Sequence, residues 1–152
     1  MPESSETLPR LVGLNHIALE VGDVEDALTF YGKLFDINLR GRGDGRAFID
    51  MGDQFIALFE GGSRVADDHR HIGLVVDNKA AVRERLDQLR IKILSDRFLD
   101  FRDPWGNRIQ IIDYADIQFT KAPAVLKGMG LDGLEKSDDA KQQLRDKGMA
   151  PT

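Results

Sequence analysis

Between residues 11 and 21 apolar and polar positions alternate, which predicts a strand with His16, Ala18 and Glu20 on one face. Gly22-Asp23 interrupts it, and Asp23 is a natural helix N-cap with Asp26 three residues on. Val24, Ala27, Leu28, Tyr31, Leu34 and Phe35 then recur at helical spacing, giving an amphipathic helix that packs on a sheet. Residues 37–40 predict a second strand. Residues 46–51 and 54–60, joined by Gly52-Asp53, predict a hairpin. The first sixty residues therefore run strand, helix, strand, strand, strand.

A polar linker at 61–68 follows, and then the pattern starts again. Residues 71–76 predict a strand, Asp77-Asn78 a cap, and Val82, Leu86 and Leu89 the apolar stripe of a helix. A strand at 91–94 precedes a pair at 98–101 and 107–114 around Asp103-Pro-Trp-Gly106, a turn in which proline presets φ and glycine frees the reversal. Trp105 and Asn107 read as turn and packing residues. The segment HIALEVGD from His16 aligns with HIGLVVDN from His71, 55 residues later, and FIDMGDQFIALFE resembles FLDFRDPWGNRIQIID. Two copies of one βαβββ unit explain this economically. The fold class is α+β: two βαβββ modules, 11–60 and 69–114, with a disordered lead at 1–10 and a tail at 115–152. In the tail, Ser137 caps a thin helix over 137–147, either a surface helix, a frayed end or an arm onto a partner.

Composition narrows the functional classes. A net charge of −5 argues against nucleic acid as a partner, which needs a positive field. The one local exception, Arg40-Gly-Arg-Gly-Asp-Gly-Arg46, reads as a hairpin connection with Asp44-Gly45 at its tip, or else as an anion clamp or an RNA-contacting arginine-glycine element. No apolar run approaches the ~20 residues of a membrane span, and the N-terminus lacks the basic start and apolar core of a secretory signal. The absence of cysteine excludes disulfides, thiolate nucleophiles and zinc–thiolate sites. A cytoplasmic protein is expected.

His16-Ile-Ala-Leu-Glu-Val, Phe30-Tyr31 with Leu34-Phe35, the second His-Ile-Gly-Leu at His71, and Asp103-Pro-Trp-Gly-Asn-Arg-Ile-Gln-Ile111 together resemble the vicinal oxygen chelate superfamily. That superfamily includes glyoxalase I, extradiol dioxygenases and the fosfomycin and bleomycin resistance proteins. The resemblance spans roughly residues 11–114 and implies paired modules whose sheets form a cup around a divalent metal, zinc, nickel, manganese or iron, commonly in a homodimer. It places ligand positions at His16, Ala57, His71 and Gln110. Two of these are histidines, Gln110 stands where many members carry glutamate, and Ala57 offers no donor.

Strand parity supports the same set, because His16, Ala57, His71 and Gln110 share a face with Ala18, Phe55, Phe59, Gly73 and Ile112. Such a wall, mostly apolar with a few converging polar groups, suits a small-molecule pocket. Ala57, Phe55 and Phe59 are candidate substrate contacts, with Tyr114 as a phenolic donor at the rim and His69 beside it. Glu20 shares the parity of His16 but lies about 13 Å along the strand. Glu60 faces away from Ala57, so recruiting it requires a bulge.

No residue is assigned as catalytic. The missing carboxylate argues against lactoylglutathione lyase activity and handicaps extradiol cleavage. Two functions lead, ahead of a third in which the chain is an interaction module that uses its tail. One is a glyoxalase- or dioxygenase-like enzyme acting on a small oxygenated metabolite at a metal held by His16, His71 and Gln110. The other is a metal-free small-molecule binding or sequestration protein of the bleomycin-resistance type.

Overall fold

The computed structural model describes residues 14–62, 65–95 and 97–149. The lead expected at 1–10 lies outside the described residues. The first module contains β1 (His16–Val21), α1 (Val24–Gly32), β2 (Leu39–Gly43), β3 (Arg46–Asp50) and β4 (Phe55–Glu60). Asp23 caps α1 by accepting from Asp26 N at 2.9 Å. The strands form a sheet ordered β1-β4-β3-β2, with β1 parallel to β4 and the rest antiparallel. The glycine-rich run is a hairpin: Gly45 turns between β2 and β3 at φ +65°, and Arg40 and Arg42 are tied to Asp50 and Glu25.

The second module repeats the order with β5 (Ile72–Val76), α2 (Lys79–Gln88), β6 (Leu99–Arg102) and β7 (Arg108–Asp113), arranged β5-β7-β6 with β5 parallel to β7. The strand expected at 91–94 does not form. Arg90 takes φ +57°, Ile91 N donates to Leu86 O at 3.0 Å, and only the Leu94 N to Asp100 O bond and a bridge at Ser95–Asp100 remain of that edge. A left-handed residue at the helix end aims the chain away from the sheet, so the apolar residues Ile91 and Ile93 pack on the core without joining the ladder.

Both modules share one core. Leu19 and Val21 of β1, Ile56 and Leu58 of β4, Leu74 of β5, Phe101 of β6 and Ile109 and Ile111 of β7 meet the buried stripes of α1 and α2. Leu58, Leu86, Leu99, Phe101 and Ile109 are fully buried, each contributing about 1.5–3 kcal/mol by leaving water. Because these positions have the opposite parity to His16 and Gln110, the two sheets turn their histidine-bearing faces outward, away from the shared core.

The join is polar as well as apolar. Tyr31 of α1 donates to Asp103 Oδ2 at 2.7 Å, and Phe30 meets Phe101 at 6.3 Å between centroids. Asp103 also accepts from Trp105 N, Asn107 N and Asn107 Nδ2, and the Asn107 amide donates to Glu20 O of β1 at 2.8 Å. A Cβ at Gly22 would overlap the Trp105 indole, so glycine is what lets this turn approach β1.

The tail packs on its own chain. After a 3₁₀ turn at Tyr114–Asp116 come α3 (Pro123–Gly128) and α4 (Asp138–Asp146), the latter capped by Ser137 as expected. Val125 and Met129 lie against Gly52, Lys121 pairs with Asp53, and Ala140 and Leu144 are buried. Hydrogen bonding to Lys121 holds the Asp53 carboxyl below its ordinary range. The buried Lys136 ammonium donates to Tyr114 O and Phe119 O and lies 3.6 Å from the Tyr114 ring centroid, with desolvation lowering its pKa. Among the described residues no helix is long and apolar enough to cross a membrane.

Burial, then the Asp103 charge and its hydrogen bond, raises the Tyr31 pKa well above the ordinary tyrosine value. The folded-state value is the higher one, so this contribution is whole below about pH 10 and is lost as pH rises through the folded value. Tyr31→Phe should cost about 1–3 kcal/mol at neutral pH in urea unfolding. It should also flatten the loss of stability above pH 10, which for wild type approaches about 1.4 kcal/mol per pH unit from this group. Equal alkaline slopes in the two proteins would refute the assignment.

Candidate functional site

On the first sheet His16 and Phe55 are cross-strand neighbours, and their rings stack at 4.7 Å with 11° between planes. Ala57, two residues further along β4, is buried opposite Phe48 of β3. The Phe48 ring meets Phe55 edge-on at 5.8 Å and Phe59 at 6.3 Å, so three aromatic rings surround Ala57. The Arg40 guanidinium lies 4.6 Å from the Phe55 centroid and is anchored by Asp50 and the carbonyls of Gly52 and Gln54. This face is an aromatic wall with one imidazole at its edge.

On the second sheet His71, just before β5, opens onto a concavity of about 350 Å³ lined also by His69, Phe98, Asp100, Arg108 and Gln110. Gly73, Gln110 and Asp100 form one cross-strand row. A Cβ at Gly73 would press into Ile112, so the row keeps its depth beside Gln110 because that residue is glycine. His69 is almost wholly solvent-exposed at the mouth.

The two histidines share one hydrogen-bonding arrangement. His16 Nδ1 lies 2.8 Å from Asn15 Oδ1, and His71 Nδ1 lies 2.9 Å from His69 O. Those oxygens accept, so in each neutral ring Nδ1 carries the proton and Nε2 keeps its lone pair. Fixing the tautomer through the far nitrogen is how imidazoles are oriented toward metals or protons.

The sequence-derived site is brought together only in part. His71, Gln110 and His69 share the concavity on the second sheet. His16, Ala57, Phe55 and Phe59 lie on the first sheet, and His16 does not line that concavity. Tyr114 is not at the rim: the chain leaves β7 for the 3₁₀ turn there, and the ring is buried beside Phe119 and Lys136. Glu60 is committed elsewhere, its Oε1 accepting from Val24 N at 2.9 Å at the start of α1. The Glu20 carboxylate lies against Gly62, where a Cβ would overlap it.

Sequence reasoning missed Asp100, Arg108, Phe98 and Phe48. Asp100 is 3% exposed. Its Oδ2 accepts from Arg108 Nε at 2.8 Å and from Nη2, and Arg108 Nη1 donates to Asp68 O. Asp100 Oδ1 is buried with no hydrogen-bond partner. The signal was present: an aspartate inside Phe98-Leu-Asp-Phe101 is a charge in an apolar strand. Only the β6–β7 register shows that it faces Gln110.

A family model described as the Glyoxalase/Bleomycin resistance protein/Dioxygenase superfamily matches residues 13–111. Among solved structures, the fosfomycin resistance protein FosX of Listeria monocytogenes is 19% identical, with a TM-score of 0.59 over 67% of this chain and 91% of its own. A lactoylglutathione lyase from Agrobacterium tumefaciens is 20% identical, with a TM-score of 0.57 over 69% and 96%. A FosX mutant from Listeria monocytogenes, complexed with Mn(II) and 1S,2S-dihydroxypropylphosphonic acid, is 19% identical with a TM-score of 0.59 over 67% and 90%. At these identities the structures establish a shared fold. The duplicated modules and the match over most of the chain lead to one conclusion: the chain belongs to the Glyoxalase/Bleomycin resistance protein/Dioxygenase superfamily.

Proposed function

We propose that this protein is a divalent-metal-dependent enzyme acting on a small oxygenated metabolite, with His16 of one copy and His71 and Gln110 of a second copy as its metal ligands. One observation carries the reading. Imidazoles at equivalent positions of the two modules both engage Nδ1 with an oxygen and leave Nε2 free on an outward sheet face. Within a single chain the three are not gathered at one hollow: His71 and Gln110 line the concavity on the second sheet and His16 does not. The shared core turns the two faces apart, and each face is half of a cup. A two-fold pair of chains would oppose the first sheet of one copy to the second sheet of the other, covering Phe59 and Phe98, which are 38% and 47% exposed.

A cation bound there would act as a Lewis acid toward neighbouring oxygens of the metabolite. The chain's own contributions are orientation and exclusion of water. Asn15 and His69 O hold the imidazoles, and Phe48, Phe55 and Phe59 supply an apolar wall. The Mn(II) complex of the FosX mutant supports manganese among the candidates zinc, nickel, manganese and iron. Two neutral imidazoles and an amide carbonyl bring no compensating charge, so affinity should be modest. A second reading, metal-free sequestration of an aromatic ligand, is favoured by the three-ring wall around Ala57.

Protein purified without a tag should contain stoichiometric divalent metal and run as a dimer by light scattering, and His16→Ala or His71→Ala should remove the metal. A metal-free protein that also ignores added zinc, nickel, manganese and iron rejects the proposal, and stabilisation by small aromatics under those conditions selects the second reading. Gln110→Glu should tighten metal binding by about tenfold or more in a chelator competition, because it adds the missing charge. Unchanged affinity would show that position 110 is not a ligand.

A further inference from the structure

We infer that Asp100 is the ligand-recognition residue of the second sheet, and that the molecule it selects presents a hydroxyl donor on an aromatic or similarly flat apolar frame. The inference rests on the reading that this outward face binds a small molecule, and it adds which chemistry the face accepts. Asp100 lines the concavity with His71 and Gln110 and is directly across from Gln110 in the ladder. Arg108 occupies only Oδ2, leaving Oδ1 buried without a partner. A buried carboxylate oxygen without a donor is costly, so a position that keeps one is suited to a donor arriving from outside.

The cation beside it is largely committed. Arg108 gives Nε and Nη2 to Asp100 and Nη1 to Asp68 O, so three of its five N–H groups are engaged and its charge is balanced by the Asp100 carboxylate. An oxyanion such as a phosphonate would therefore meet a carboxylate here, while a hydroxyl would meet an unfilled acceptor. Phe98 lines the same concavity and is 47% exposed, giving the ligand's frame a flat apolar surface.

The probes are catechol, 1,2-dimethoxybenzene and methylphosphonate, titrated by calorimetry into the full-length protein both as purified and after chelator treatment. In the chelator-treated protein, where metal chelation cannot create a preference, catechol should bind about tenfold or more tightly than 1,2-dimethoxybenzene, and methylphosphonate least tightly. Asp100→Asn should reduce that preference to within about threefold while metal content stays as in wild type. A preference for methylphosphonate, equal binding of catechol and its dimethyl ether, binding of none of the three, or an undiminished preference in folded Asp100→Asn overturns the inference. If Asp100→Asn does not fold, the wild-type comparison of catechol with its dimethyl ether decides alone. Metal analysis of the same samples reads the metal proposal separately: absent metal with a persisting catechol preference removes the metal centre and leaves Asp100 in its role.

Discussion

The hydrogen bond from Tyr31 to Asp103 is the constraint on which the arrangement of this molecule depends. Asp103 closes the Asp-Pro-Trp-Gly turn by accepting two backbone N–H groups and the Asn107 amide, and its remaining acceptor capacity reaches across to α1. A turn motif that each module could use locally thus fastens one module to the other. Asn107 extends the fastening to β1, and Trp105 fills the space that Gly22 leaves open. The polar contacts set the register of the two halves, and the surrounding core of Leu19, Tyr31, Phe101 and Ile109 supplies the apolar driving force.

Fixing the modules in this way decides where chemistry can occur. With both helices and the inner sheet faces committed to one core, His16 and His71 have only the outer faces available. Duplication gives the two faces matching imidazoles, yet the packing that stabilises the chain sends them in different directions. In the arrangement proposed above, a second copy would close a cup over these faces, and fold stability and site assembly would then be separate steps governed by different surfaces.

The sequence made the modules legible because duplication repeats every local signal: a histidine before an apolar strand, a capped helix, a glycine-marked hairpin. Helix α2 and hairpin β2–β3 formed where cap and turn chemistry indicated. The edge strand at 91–94 failed for a reason that alternation cannot encode, since Arg90 in a left-handed conformation redirects the chain before pairing begins. Tyr114 failed similarly: parity assumes a strand that continues, and β7 stops at Asp113. The site was legible as a face and illegible as a cavity. Asp100 and Arg108 matter through a cross-strand register and a tertiary ion pair, and neither leaves a periodic trace.

This asymmetry bears on the carboxylate that the sequence seemed to lack. Reading along β7 finds Gln110 and no charge; reading across the ladder finds Asp100 beside it, buried and half satisfied. The negative charge of this face has therefore not been lost but occurs on the neighbouring strand, where Arg108 neutralises it and fixes one of its oxygens. A carboxylate so paired is a poor source of charge compensation for a cation, because the arginine already neutralises it, while its second oxygen still has acceptor capacity for a hydroxyl. Under the proposed roles, the amide of Gln110 and the Asp100–Arg108 pair would divide two tasks that a single free glutamate would combine: a neutral oxygen donor in one place, and directional recognition of a bound molecule in the other.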